Sequence, residues 1–210
     1  RNVFPPGESP SLSQPAAMLL TLMSVATRVE PPLLRALRGL LPEGRDDAGI
    51  EGEVWCHSEL DTAAMGCSLA PWAAVHWQEK FRQLPPLLQQ RALDCLRGWH
   101  AHLPQAIHHE ETLLWQHLAT ITPSDGEQTK AAAARKFFNK LANSLQAPPE
   151  PAAFSRTRMA QLAERHIRWV SPVLGSEETY LHRLWNAVID AAPERGRNGL
   201  PAGIDPAAWL

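Results

Sequence analysis

The sequence predicts an all-α fold, an irregular bundle of about seven to nine amphipathic helices. Three observations carry that expectation. Apolar residues recur at three- and four-residue steps through nearly every long segment. A proline or serine stands before most of these segments, and proline at a helix start removes only an amide that would lack a partner anyway. The composition, with 19 prolines and 12 glycines against one tyrosine and five phenylalanines, suits a β-sandwich poorly, because such strands draw on β-branched and aromatic residues.

The elements follow in order. Residues 1–14, rich in Pro, Ser and Gly, read as a linker or N-terminal arm. The first helix is expected from near Pro15, with Leu19, Leu20, Leu22, Met23 and Ala26 at helical spacing. Pro31 and Pro32 end it and open the next, whose Leu33, Leu34, Leu37, Leu40 and Leu41 form a stripe with Arg35 and Arg38 facing outward. An acidic turn, PEGRDDAG, covers 42–49. Residues 50–60 hold too few apolar side chains to set a period, so a short strand and a bent helix around Val54 and Trp55 are both open. Any sheet is expected to be no more than a small hairpin near Ile50 to Trp55.

A loop over 61–70 leads to Pro71, which opens a helix carrying Trp72, Val75, His76, Glu79 and Phe81. Pro85 starts another, with the stripe Leu88, Ala92, Cys95, Leu96, Trp99 and Leu103, and that spacing sets Trp99 at the centre of the buried side. Pro104 stops it and opens a helix to Ile121 with Ile107, Leu114, Leu118 and Ile121 on one side. Ser124 or Asp125 is placed to cap a helix over 127–145. Three prolines mark 147–153 as a hinge. Helices are expected over 154–170 and 176–191, the latter capped by Ser176 with Glu177 and Glu178 near its positive end. Residues 193–210 read as a C-terminal tail or linker, leaving a single helical domain over 15–192.

A chain of 210 residues, 44% hydrophobic and 20% charged, is long enough for a substantial core. Its net charge of -2 lacks the basic excess of a dedicated nucleic-acid binder. Cys56, Cys67 and Cys95 are odd in number and show no CxxC spacing, so neither a disulfide framework nor a thiolate zinc site is expected, and a cytoplasmic setting fits. No apolar run approaches the roughly 20 residues that span a bilayer, so no membrane partner is expected. A start at Arg1 instead of Met suggests a piece of a longer protein.

Potential chemistry is concentrated between Leu84 and Leu118, which holds Cys95, His100, His102, His108, His109, His117 and the pair Glu110 and Glu111. Bundled metal sites use Glu-x-x-His, since a three-residue step puts both ligands on one face. Here His108 and Glu111 stand in the reverse order, and Glu110 and His117 lie about 10 Å apart along the axis. No metal or cofactor is therefore expected. If one binds, its ligands are His108, His109, Glu110 and Glu111. Polar helix edges account for the same residues, and a cluster of imidazoles titrating near neutrality is the stronger functional reading.

No catalytic residue is expected. Cys56 adjoins His57, but neighbours in sequence rarely direct side chains at each other, and Cys95 sits on an apolar stripe. Serine hydrolase, P-loop and dinucleotide fingerprints are absent. Of the eight tryptophans, Trp99, Trp115, Trp169 and Trp185 fall among apolar helical positions, whereas Trp72, Trp77 and Trp209 are candidates for a partner-binding surface. Lys130, Arg135, Lys136, Lys140, Arg165 and Arg168 form the best candidate nucleic-acid face, with a solvated face as the plainer alternative.

The segment LLRALRGLLPEGRDDAGIEGEVWCH, followed by LPPLLQQRALDCLRGWHAHLP and EETLLW, resembles helical accessory regions of multidomain bacterial proteins that also carry modules similar to formylglycine-generating enzymes or signalling NTPases. The resemblance covers roughly the first 120 residues and rests on the placement of leucine, tryptophan and proline. It implies a non-catalytic interaction or accessory domain of a larger bacterial sensing or defence-type protein, binding another protein or another domain of the same chain. An enzyme with its site around His100 to His117 is the alternative, and a nucleic-acid adaptor is the third reading.

Overall fold

The computed structural model describes residues 12–63, 66–118, 124–146, 158–167 and 179–191. Among these residues the fold is all-α, with nine helices and one two-stranded sheet. Residues 1–11 of the expected arm, the hinge at 147–153, the cap residues Ser176, Glu177 and Glu178, and the tail at 193–210 lie outside the described residues. The chain divides into two compact units, Arg1–His102 and Leu103–Leu210, a boundary inside the region expected as one domain.

In the first unit, proline opens helices as its fixed φ dictates. Helix α1 (Gln14–Met23) has Pro15 in its first turn, and Ser13 caps it by accepting from the Ala16 amide at 3.3 Å. Helix α2 (Pro31–Arg38) begins on the proline pair and buries Leu33, Leu34 and Leu37. Helix α3 (Gly49–Trp55) resolves the open segment as a short helix, with Ile50 and Val54 one turn apart and both buried. Helices α4 (Pro71–Arg82) and α5 (Pro86–His100) follow their prolines as expected. α1 packs on α2, α3 and α4, and α2 on α5.

Three expectations need correction here. Arg38 does not face outward: its Nε donates to Glu51 at 2.7 Å, and its Nη1 donates to the Gly44 carbonyl at 2.9 Å and to that of Arg45. The 42–48 turn has carbonyls that no helix or sheet satisfies, and one guanidinium with its five donors gathers them.

The hairpin lies later than Ile50 to Trp55, in the stretch expected as a loop. Strand β1 (Leu60–Ala63) pairs antiparallel with β2 (Gly66–Leu69), Leu60 facing Leu69 and Ala63 facing Gly66. Cys67 on β2 also exchanges backbone hydrogen bonds with Val29 at 2.7 and 2.9 Å. This contact requires glycine at position 66, where a Cβ would stand 2.8 Å from the Val29 carbonyl oxygen.

The third correction concerns α5. Its buried residues are Gln89, Ala92, Leu93, Leu96 and His100, a face rotated by roughly 65° from the apolar stripe. Trp99 is consequently 43% exposed, and Leu88 and Cys95 are half buried. The rotation follows a polar side chain. Gln89 Nε2 lies 3.1, 3.0 and 3.0 Å from the carbonyl oxygens of Phe81, Arg82 and Leu84, at and just past the end of α4, where carbonyls lack the amide of a following helical turn.

The second unit contains α6 (Gln105–Leu118), α7 (Asp125–Gln146), α8 (residues 158–167) and α9 (Thr179–Ala191). Ser124 and Glu127 form a reciprocal capping box at the start of α7, the hydroxyl accepting from the Glu127 amide at 3.3 Å and the carboxylate from the Ser124 amide at 3.0 Å. Ala131, Ala134, Phe138, Leu141 and Leu145 make the buried stripe of α7, which packs against α6 and α9. No helix among the described residues is long and apolar enough to cross a membrane.

Candidate functional site

The polar residues of α6 do not all lie at its edge. Glu110 and Glu111 are both fully buried, beside Leu113, Leu114, Trp115 and Leu118, while Ile107 is only half buried. A carboxylate is costly to bury unless it is paired. Glu110 finds its partner on α8, where Arg165 Nη2 donates to Oε2 at 2.5 Å with its own side chain 51% exposed.

His166 lies on the other side of the same carboxylate. Its Nδ1 is 3.8 Å from Glu110 Oε1, its Nε2 is 3.1 Å from the hydroxyl oxygen of Tyr180 on α9, and its ring stacks on Phe138 of α7 with centroids 3.6 Å apart. Phe138 in turn lies 6.1 Å from the Tyr180 ring. Four helices thus converge on one buried imidazole.

Burial pushes the Glu110 carboxyl up to about 7, against the Arg165 charge and hydrogen bond, which pull it down, and with Glu111, whose charge raises it further. Burial, and then the Arg165 charge, hold His166 well below its ordinary value. His109 is also lowered, first by burial and then by His108, and its ring lies against Phe137 at 4.9 Å.

The set His108, His109, Glu110 and Glu111 therefore does not converge. Glu110 turns to α8 and His109 to α7. Among the described residues no group of three or more His, Cys, Asp or Glu side chains is arranged to hold a metal ion. Sequence reasoning missed His166 and Tyr180. Their available signal was phase: His166 follows the buried Ala160 and Ala163 by six and three residues and precedes the buried Ile167.

The basic residues are dispersed. Lys130, Lys136 and Lys140 are exposed on α7 and Arg135 is half buried. Lys136 and Lys140 point within about 40° of each other, but Lys130 is about 120° away from Lys136 around the axis. Arg165 is engaged by Glu110, and Arg168 lies outside the described residues.

The tryptophans separate by environment. Trp72 is 65% exposed, with Val75 at 41% one turn along the same side of α4. Trp77 is corrected from surface to core: it is 5% exposed, its indole N–H donates to Glu59 at 2.6 Å, and the Lys80 ammonium stands 4.1 Å from its ring centroid. Trp209 and Trp169 lie outside the described residues. Trp115 and Trp185 are buried as expected.

The cysteines are free thiols. Burial pushes Cys67 up to about 12, with the Glu30 charge adding to it, and burial also raises Cys95; both shifts oppose nucleophilic activation. A cavity of about 210 Å³ beside Gln14, Pro15, Met18 and Leu41 has Glu43 as its one ionisable lining residue, and it is smaller than the roughly 300 Å³ at which ligand pockets begin. Comparison with protein-family models, curated proteins and solved structures finds no match to this chain.

Proposed function

We propose that this chain is a non-catalytic interaction domain, an accessory part of a larger bacterial protein of sensing or defence type working in the cytoplasm. It engages another protein, or another domain of its own chain, through the exposed side of α4. The observation that carries this reading is Trp72, 65% exposed beside Val75 on a helix whose opposite side buries Ala73, Ala74, Trp77 and Phe81. Interfaces concentrate their energy in a few aromatic anchors, and an indole offers a large contact area with few rotatable bonds. Trp99 and Leu87, at 43% and 71% exposure, add apolar surface on α5.

The polar cluster of the second unit supports a non-catalytic role. Glu110 and His166 are each 0% exposed and Tyr180 is 4% exposed, so a substrate has no access to them. Neither a cofactor nor a metal enters this reading.

The test is co-purification with the full-length chain, followed by binding titrations. Trp72→Ala should weaken association by about 2 kcal/mol or more, some 30-fold, while changing stability by less than about 0.5 kcal/mol. Unaltered binding by this variant sinks the assignment to α4. Recovery of nucleic acid in place of protein, released by Lys136→Glu with a steep salt dependence, would favour the adaptor reading instead.

A further inference from the structure

Inside the second unit, four polar side chains from three helices form a hydrogen-bonded chain with one break. Arg165 is joined to Glu110 Oε2, and His166 Nε2 to Tyr180. Between these links, Glu110 Oε1 and His166 Nδ1 face each other at 3.8 Å, both buried and neither hydrogen-bonded to a described residue. The groups around the break are Glu111 and Glu110 from α6, the Phe138 ring from α7, Arg165 and His166 from α8, and Tyr180 from α9.

A neutral imidazole carries one N–H, and the two ends of this ring face partners that each can either donate or accept. With Glu110 ionised, the favourable arrangement has Nδ1–H directed at the carboxylate and the Tyr180 O–H donating to Nε2. With Glu110 protonated, the same ring is best served in reverse: the carboxyl O–H donates to Nδ1, and Nε2–H donates to Tyr180. Closing either contact needs a side-chain shift of under about 1 Å to reach hydrogen-bond distance.

We propose that Glu110, His166 and Tyr180 form a buried one-proton switch, in which uptake of a single proton by Glu110 reverses the tautomer of His166 and loosens the ion pair that holds Arg165. The proton comes from solvent, the imidazole is neutral in both states, and the unit gains one positive charge. Arg165 then faces a neutral carboxyl, and its half-exposed guanidinium becomes available to an anion. The direction of each group's titration agrees: burial raises Glu110 to about 7, and burial with the Arg165 charge disfavours the imidazolium, so the proton belongs on the carboxyl. This switch is independent of the surface assigned to α4.

Nitrogen-15 NMR of histidine-labelled full chain, titrated from about pH 5 to 8.5, reads the switch directly, since protonated and bare ring nitrogens have well-separated shifts. The expected result is that the His166 proton moves from Nδ1 to Nε2 as pH falls, with a midpoint near 7 and no imidazolium signal. Glu110→Gln should abolish this step. Arg165→Gln, at a half-exposed site that tolerates change, should move the midpoint upward, because the guanidinium favours the carboxylate. A tautomer that stays fixed across the range, or a His166 that becomes charged, overturns the proposal on the wild-type protein alone.

Discussion

Replacing Gln89 should damage the first unit more than replacing Trp99, the reverse of what the apolar pattern of α5 implies. Gln89 is fully buried, and its amide nitrogen lies within 3.1 Å of three carbonyl oxygens at the end of α4. That nitrogen has two hydrogens, so two bonds act at a time. Gln89→Leu keeps the volume but removes the two hydrogen bonds this amide makes at a buried helix end, at roughly 1–2 kcal/mol each, for a total of about 2–4 kcal/mol. Trp99→Ala removes a side chain that is 43% exposed, so its cost falls to about 1 kcal/mol or less, compared with the 3–5 kcal/mol of a buried tryptophan. Urea melts of both variants at matched slope decide the matter. A Trp99→Ala loss exceeding that of Gln89→Leu would refute the rotation of α5 and the role assigned to the amide.

Two more outcomes follow from single contacts. Gly66→Ala places a methyl 2.8 Å from the Val29 carbonyl oxygen, a backbone atom that cannot rotate away, so thermal melts should show a loss of about 1–3 kcal/mol. The buried pair sets a pH dependence: the raised Glu110 contributes stability that is fully present below its ordinary 4.5 and is lost as pH rises through about 7, whereas the lowered His166 contributes stability that is present above 6.5 and is lost as pH falls below it. Between 4.5 and 6.5 the two slopes cancel, and Glu110→Gln should expose the histidine slope as a loss approaching 1.4 kcal/mol per pH unit relative to wild type, measured by denaturant melts at pH 5 and 6.5.

The sequence made the helices legible because their signals are local. Pro15, Pro31, Pro71 and Pro86 each sit in the first turn of a helix, and Ser124 caps α7 through contacts only three residues long. The hairpin at 60–69 was hidden because LDTAAMGCSL alternates weakly, and its second strand is anchored to Val29, some 38 residues earlier. The buried cluster was half visible. Glu110 stood out by composition, but Arg165 and His166 reach it from 55 and 56 positions away, and no spacing rule operates over that distance.

What the apolar period left undetermined, buried polar groups decide. An apolar stripe tolerates a rotation of some tens of degrees, since one leucine covers much the same area as its neighbour, and the free energy changes gradually with area. A buried amide or carboxylate has no such tolerance, because turning it away from its partner exposes the full desolvation cost of both groups. Gln89 therefore fixes α5 against the end of α4, and Arg38 fixes the 42–48 turn. Glu110 ties α6 to α8 in the same way, with one difference. Its second oxygen meets a histidine nitrogen across 3.8 Å and not a hydrogen bond, so its register is held by Arg165 while its protonation stays adjustable near neutral pH. Glu110 is thus a residue whose one oxygen fixes the packing of two helices and whose other faces an imidazole across an unclosed contact.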